Sequence, residues 1–170
     1  MRRLVDAARI RQFMHAFGRK AAAPGRAYLV GGACAVLLDW RPSTLDIDLE
    51  LDPSLEHVLM EIAQIKEDLQ VNIELASPGH FIPELPGWRD RSPFIVREGS
   101  VDFHHYDFYA QALSKIERGH SRDRTDVREM LTRGLIQPDE LLRLFEAIEG
   151  ELFRYPALHA AAFRGKLMHS

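Results

Sequence analysis

The sequence predicts an α/β (α+β) fold, with strands and helices in the N-terminal two-thirds and helices alone in the C-terminal third. Three observations carry this. Leu45-Asp46-Ile47-Asp48-Leu49-Glu50-Leu51 alternates apolar and acidic residues, the period of a half-buried strand. Ala27-Tyr28-Leu29-Val30 is a short apolar run ending on Gly31-Gly32, as a buried strand does when it turns into a helix. From about residue 108 onward the apolar periodicity is helical.

The remaining elements follow in order. Leu4, Ala7, Ala8, Ile10, Phe13, Met14 and Phe17 recur at helical spacing over 3–18, with Gly18 as a plausible stop. Residues 33–40 read as a helix broken by Arg41-Pro42-Ser43-Thr44. Pro53-Ser54 opens a helix over about 55–68, and Val71–Leu75 is a third strand. Residues 77–93 hold four prolines and two glycines, which predicts a long ordered loop or lid. A hairpin is expected around Glu98-Gly99, joining 94–97 to 100–106. Helices follow at about 108–118, 122–133 and 138–149, with a helical tail after Pro156. The expected division is an α/β domain over 1–107 and a C-terminal helical region over 108–170 packed on it.

Composition limits the function. Hydrophobic residues at 46% and charged residues at 28% describe a globular chain. A net charge of -3 argues against a coat of basic charge for non-specific nucleic-acid binding, although a local basic patch remains compatible. The single cysteine, Cys34, has no intramolecular disulfide partner and sits in a small apolar run that suits a buried thiol. No apolar run approaches the roughly 18 residues that span a bilayer. The N-terminus leads into an amphipathic stretch rather than a secretory core. A reducing cytoplasmic location is therefore expected.

Asp46 and Asp48 lie two apart on the expected strand, so they share a face. Adjacent carboxylates repel, and a hard divalent cation such as Mg²⁺ or Mn²⁺ relieves that repulsion. The plainer reading is a solvated acidic strand face, continued by Glu50. Thirteen residues separate Gly32 from Asp46. Two glycines let the backbone approach a phosphate closely; they equally suit a tight turn with close helix packing.

Val30-Gly31-Gly32-Ala33, with Arg41-Pro42-Ser43-Thr44-Leu45-Asp46-Ile47-Asp48-Leu49, resembles the signature of the DNA polymerase β-like nucleotidyltransferase superfamily. The resemblance is nearest to small bacterial members of the antitoxin and abortive-infection toxin types. Lys115-Ile116-Glu117-Arg118-Gly119, with Arg122-Asp123-Arg124-Thr125-Asp126-Val127, is similar to a second, looser motif of those proteins. The resemblance implies a mixed sheet flanked by helices. It implies that Asp46 and Asp48 ligate Mg²⁺ or Mn²⁺ and that Gly31 and Gly32 hold the triphosphate of an NTP (ATP or another). Ser43 and Thr44 would contact phosphate or sugar, or simply form the turn and strand start. A third carboxylate completes such sites, with Glu74 the first choice and Asp102 the second. Lys115 and Arg118 would add phosphate contacts, within a basic cluster that includes Arg122, Arg124 and Arg128. The competing reading of that cluster is a solvated face paired with Glu117, Asp123, Asp126 and Glu129.

The activity implied is transfer of a nucleoside monophosphate from an NTP to a hydroxyl of a protein or RNA. The alternative is a catalytically degenerate protein that binds a nucleotide or a partner, for example one component of a toxin–antitoxin pair. His104-His105 is a weak metal candidate, because adjacent strand residues face opposite ways. Phe81, Trp88 and Phe94 suit either base stacking or pinning of the 77–93 loop.

Overall fold

A computed structural model describes residues 3–155 and 158–169. The chain divides into two compact units, residues 1–77 with 92–106, and residues 78–91 with 107–170.

The first unit is built on a five-stranded mixed sheet, β1 (Gly25–Val30), β2 (Asp46–Leu51), β3 (Asn72–Leu75), β4 (Phe94–Glu98) and β5 (Val101–His105), in the order β3-β2-β1-β5-β4. β1 pairs antiparallel with β2 and parallel with β5, while β2 pairs parallel with β3. The parallel β2–β3 pair requires a crossover, supplied by a 3-10 helix (Pro53–Glu61) running into helix α3 (Ile62–Leu69). Helices α1 (Ala7–Lys20) and α2 (Gly32–Leu37) complete the unit.

The alternation of β2 sorts the two sheet faces. Ile47 and Leu49 are fully buried, in register with Ile73 and with Leu29 respectively. Phe13 and Phe17 of α1 cover this face with edge-on contacts to Phe103, at ring-centroid distances of 6.3 and 5.8 Å. Leu45, the first apolar residue of the alternation that marks a half-buried strand, is 65% exposed. β2 begins one residue later, and Thr44 is drawn into an isolated antiparallel bridge with Val5, so Leu45 lies outside the strand's alternation.

The expected stop at Gly18 is also corrected. α1 runs on to Lys20, and Gly18 is a point of close approach instead. A methyl group there would collide with the Glu98 carbonyl oxygen and lie 2.7 Å from the Glu98 Cβ. Asp6 precedes α1 and caps it, its carboxylate accepting from Arg9 N at 2.9 Å. Cys34 is buried and donates to the Leu29 carbonyl at 3.2 Å, a core thiol.

The second unit is helical: α4 (Trp88–Arg91), α5 (Phe108–Arg118), α6 (Ser121–Thr132), α7 (Pro138–Glu149) and α8 (Ala160–Met168), with 3-10 turns at Pro78–His80 and Leu152–Arg154. Gly119, in a left-handed conformation at φ +69°, ends α5 and lets the chain turn into α6. Phe145 of α7 meets Phe163 of α8 edge to face at 4.9 Å. The helical tail expected after Pro156 forms from Ala160, and Pro156 itself lies outside the described residues.

Candidate metal and nucleotide site

Two adjacent strands of the first unit, β2 and β3, build the acidic cluster. Asp46, Asp48 and Glu50 occupy the face of β2 opposite Ile47 and Leu49. Parallel pairing sets Asn72 opposite Asp46 and Glu74 opposite Asp48. One carboxylate oxygen from each of Asp46, Asp48 and Glu74 falls within 4.8 Å of the others. Asp46 and Asp48 are half-buried and Glu74 is exposed, so the cluster opens to solvent on the Glu74 side. Three carboxylates at this spacing are an oxygen-only donor set, the kind that hard divalent cations take.

Asn72 ties the cluster together. Its side-chain amide donates to Asp46 Oδ1 at 2.6 Å and to Glu74 Oε1 at 3.1 Å. One neutral group thus spans two carboxylates that would otherwise face each other unscreened. Glu50, the next acid on the strand, accepts from the Ser77 hydroxyl at 3.1 Å.

Asp102, the second candidate for the third carboxylate, stands elsewhere. It lies on β5, separated from β2 by β1. Arg97 on β4 grips it with two bonds of 2.6 and 3.0 Å, and that hydrogen bonding holds its carboxyl below the usual carboxylate range, with burial opposing. It is a cross-strand ion pair. The adjacent histidines divide as the strand period requires. His104, in register with Tyr28, bonds through Nδ1 to the Ser92 carbonyl at 2.9 Å. His105 lies on the core face in register with Leu29, and its pKa is pushed down to about 4, first by burial and then by His104.

The glycine pair lies beside the acids, and its two members differ. Gly31 adopts φ +65° and ψ -125°, a conformation open essentially to glycine alone. A methyl group there would stand 3.9 Å from Asp48 Oδ2, so its backbone is a direct neighbour of the cluster. Gly32 needs its lack of a side chain for packing. A methyl group would collide with Thr44 Oγ1 and stand 2.8 Å from Thr44 Cβ. The Arg41 guanidinium reaches within 3.4 Å of that same point. Thr44 meanwhile exchanges two backbone hydrogen bonds with Val5, at 2.8 and 2.9 Å, and Ser43 beside it is half-buried.

Lys115 and Arg118 belong to the second unit and are engaged there. Lys115 is buried, with its Nζ 2.9 Å from Asp126 and 3.7 Å from Asp123. Arg118 pairs with Asp123 at 2.7 Å. Trp88, one of the aromatic stacking candidates, is buried under Arg89, whereas Phe81 and Phe94 are half-exposed.

A family model described as a nucleotidyltransferase of unknown function (DUF6036) matches residues 8–163. The chain belongs to that family. This nucleotidyltransferase-like chain matches no curated protein and no solved structure. Among its described residues, no helix is long and apolar enough to cross a membrane.

Two site features of this family member, Asn72 and Arg41, are absent from the sequence-derived candidates. Asn72 shares the period-two spacing of Glu74, and that spacing could have nominated it. The approach of Arg41 to Gly32 has no local sequence signal, because it depends on how the turn after α2 folds back.

Proposed function

We propose that this protein is a divalent-metal-dependent nucleotidyltransferase that moves a nucleoside monophosphate from an NTP to a hydroxyl of a protein or RNA acceptor. The observation that carries the reading is the convergence of Asp46, Asp48 and Glu74 oxygens within 4.8 Å, on adjacent strands in register. These residues fit Mg²⁺ or Mn²⁺: all three donors are carboxylate oxygens, and two are held on β2, a strand paired on both sides. A cation bound there supplies neutralisation of phosphate charge and a lower pKa for the attacking hydroxyl.

The chain's own groups position the reactants. Gly31 and Gly32 present backbone without side-chain obstruction next to Asp48, where the triphosphate would lie. Arg41, close to Gly32, adds a planar cation suited to a phosphate oxygen pair. Ser43 contributes a hydroxyl at the edge of this region. Glu74, the most exposed acid of the three, faces the side from which an acceptor arrives, where it takes the proton of the attacking hydroxyl. The acceptor oxygen forms a bond to the α-phosphorus, the bond from that phosphorus to the bridging oxygen breaks, and pyrophosphate leaves. Little covalent chemistry is asked of the protein; positioning and electrostatics do most of the work.

A second reading has one observation in its favour. The Asn72 amide already satisfies Asp46 and Glu74, an arrangement that suits a member that binds a nucleotide or a partner, such as a toxin or antitoxin, without turnover. One experiment separates the two. The protein is incubated with each α-labelled NTP, Mg²⁺ and cell lysate, and label on protein or RNA is sought alongside calorimetric NTP affinity. The transferase reading expects labelled product from wild type, and neither label nor Mg²⁺-dependent affinity from Asp46→Asn with Asp48→Asn. Affinity without label for any nucleotide supports the binding protein. Unchanged affinity in the double variant sinks the metal assignment.

A further inference from the structure

The helical unit carries a cleft of its own. Its volume is about 750 Å³, and residues of α5, α6 and α8 line it, with Gly119 between α5 and α6. That volume lies within the roughly 300–1,000 Å³ of small-molecule sites. Ile116, Val127 and Leu131 form an apolar wall. Among the described residues Asp123 is the one acid in the lining, against Lys115, Arg118, Arg124, Arg128 and Lys166.

The charges do not cancel. Lys115 is matched by Asp126, and Arg118 by Asp123. Arg124 and Arg128 are four apart on one face of α6, both exposed, and neither has an ion-pair partner among the described residues. Glu129 beside them is drawn to Arg133 at 3.0 Å. Lys166, contributed by α8, donates to the Glu117 carbonyl at 2.6 Å, which fixes the amine beside the cleft. This cationic excess sits on a chain whose net charge is -3, so it is a local concentration of positive charge.

We propose that this cleft binds the phosphate and base of a nucleotide, either free or within a single-stranded RNA. Two guanidinium forks one helical turn apart suit phosphate oxygens, which Arg holds in bidentate fashion. The apolar wall next to them suits the flat face of a base. An acidic peptide would use the cations and leave that wall unfilled. Asp123 strengthens the case: its Oδ2 is buried and receives no hydrogen bond among the described residues, which leaves an acceptor for a ribose hydroxyl or a base amine after a small side-chain shift. The inference does not rest on the acidic triad.

The test uses the full chain in EDTA, so that metal-dependent binding at the triad is removed. Fluorescence anisotropy follows a short labelled single-stranded RNA, and calorimetry follows 5′-AMP. Wild type is expected to bind at least one of the two. Arg124→Gln with Arg128→Gln should weaken that binding at least tenfold. For RNA it should also flatten the slope of log affinity against log salt by about 1.4, at about 0.7 per phosphate contact. Arg122→Gln, on the same helix outside the cleft, should change affinity less than about twofold, and Asp46→Asn with Asp48→Asn should retain it. Binding of AMP, with competition against RNA, identifies a single-nucleotide site; binding of RNA alone identifies a strand site. The proposal is overturned if neither ligand binds, if Arg122→Gln weakens binding as much as the cleft variant, or if a poly-glutamate peptide binds as tightly.

Discussion

Lys115→Met tests whether the basic motif after residue 114 serves the fold or a ligand. The Lys115 side chain is 9% exposed and its partner Asp126 only 1% exposed, with 2.9 Å between them. Asp123 also stands 3.7 Å from the same amine. Removing the cation leaves Asp126 buried beside another carboxylate with its principal counter-charge gone. Breaking a buried pair from one side costs about 3–5 kcal/mol. For a chain of this size that corresponds to a fall in Tm of roughly 6–20 °C, at about 2–4 °C per kcal/mol. Met preserves most of the side-chain volume, so the loss reports charge rather than a cavity. Thermal and urea unfolding by circular dichroism at pH 7 measure it. Adding Asp126→Asn completes a double-mutant cycle in which a coupling of about 2 kcal/mol is expected. A Lys115→Met protein that melts within about 2 °C of wild type refutes the reasoning. If that folded variant also loses NTP affinity, Lys115 serves a ligand, as its resemblance to the motif implies.

Gly32→Ala should destabilise by about 1–3 kcal/mol, the usual cost of overpacking, because the new methyl meets Thr44 head on; urea unfolding without ligand checks this, and an unchanged midpoint would leave phosphate approach as the only reason for glycine there. His105 should make stability fall in acid. Its folded pKa of about 4 lies below the ordinary 6.5, so the unfolded chain binds the extra proton between those values. The contribution is complete above pH 6.5 and is lost as pH falls toward 4, by about 3 kcal/mol. His105→Gln should flatten that part of the profile in urea titrations from pH 7 to 4.5, and an equally steep profile in the variant would contradict the assignment. Asn72→Ala should strengthen the dependence of Tm on Mg²⁺, because the acids lose the amide that screens them without metal; a thermal shift by Mg²⁺ no larger than in wild type would show that Asn72 does not compete with the cation.

Local pattern made much of the first unit legible. The alternation at 45–51 puts Asp46 and Asp48 on one face, as local pattern implies, while Gly31 stands beside Asp48 as the family resemblance implies. What the pattern missed depends on chain returning from a distance. Leu45 faces out because Thr44 is claimed by Val5, some forty residues earlier. Gly18 looked like a helix stop, but its smallness answers to Glu98, which no window on α1 contains. In the second unit the charges of residues 115–128 were visible, while their division was not. Which cations are matched by Asp123 and Asp126, and which line a cleft, depends on the turn at Gly119 and on Lys166 arriving from α8.

Glu74 shows how the core sets the chemistry of the opposite face. It lies on a four-residue strand at the sheet's edge, where backbone pairing alone specifies register weakly. Ile73 supplies the missing specification. It is 3% exposed and opposite Ile47, which is fully buried. A slip of one residue would turn Ile73 into solvent and forfeit about 1.5–3 kcal/mol of burial. It would also carry Glu74 to the apolar face, away from Asp48. The alternation that places isoleucine inward therefore places the carboxylate outward, opposite Asp48 and one step from Asn72. The mutual repulsion of the acids opposes this arrangement, and the burial of Ile73 favours it. The inward isoleucine thus holds the register of the acids on a strand short enough to slip.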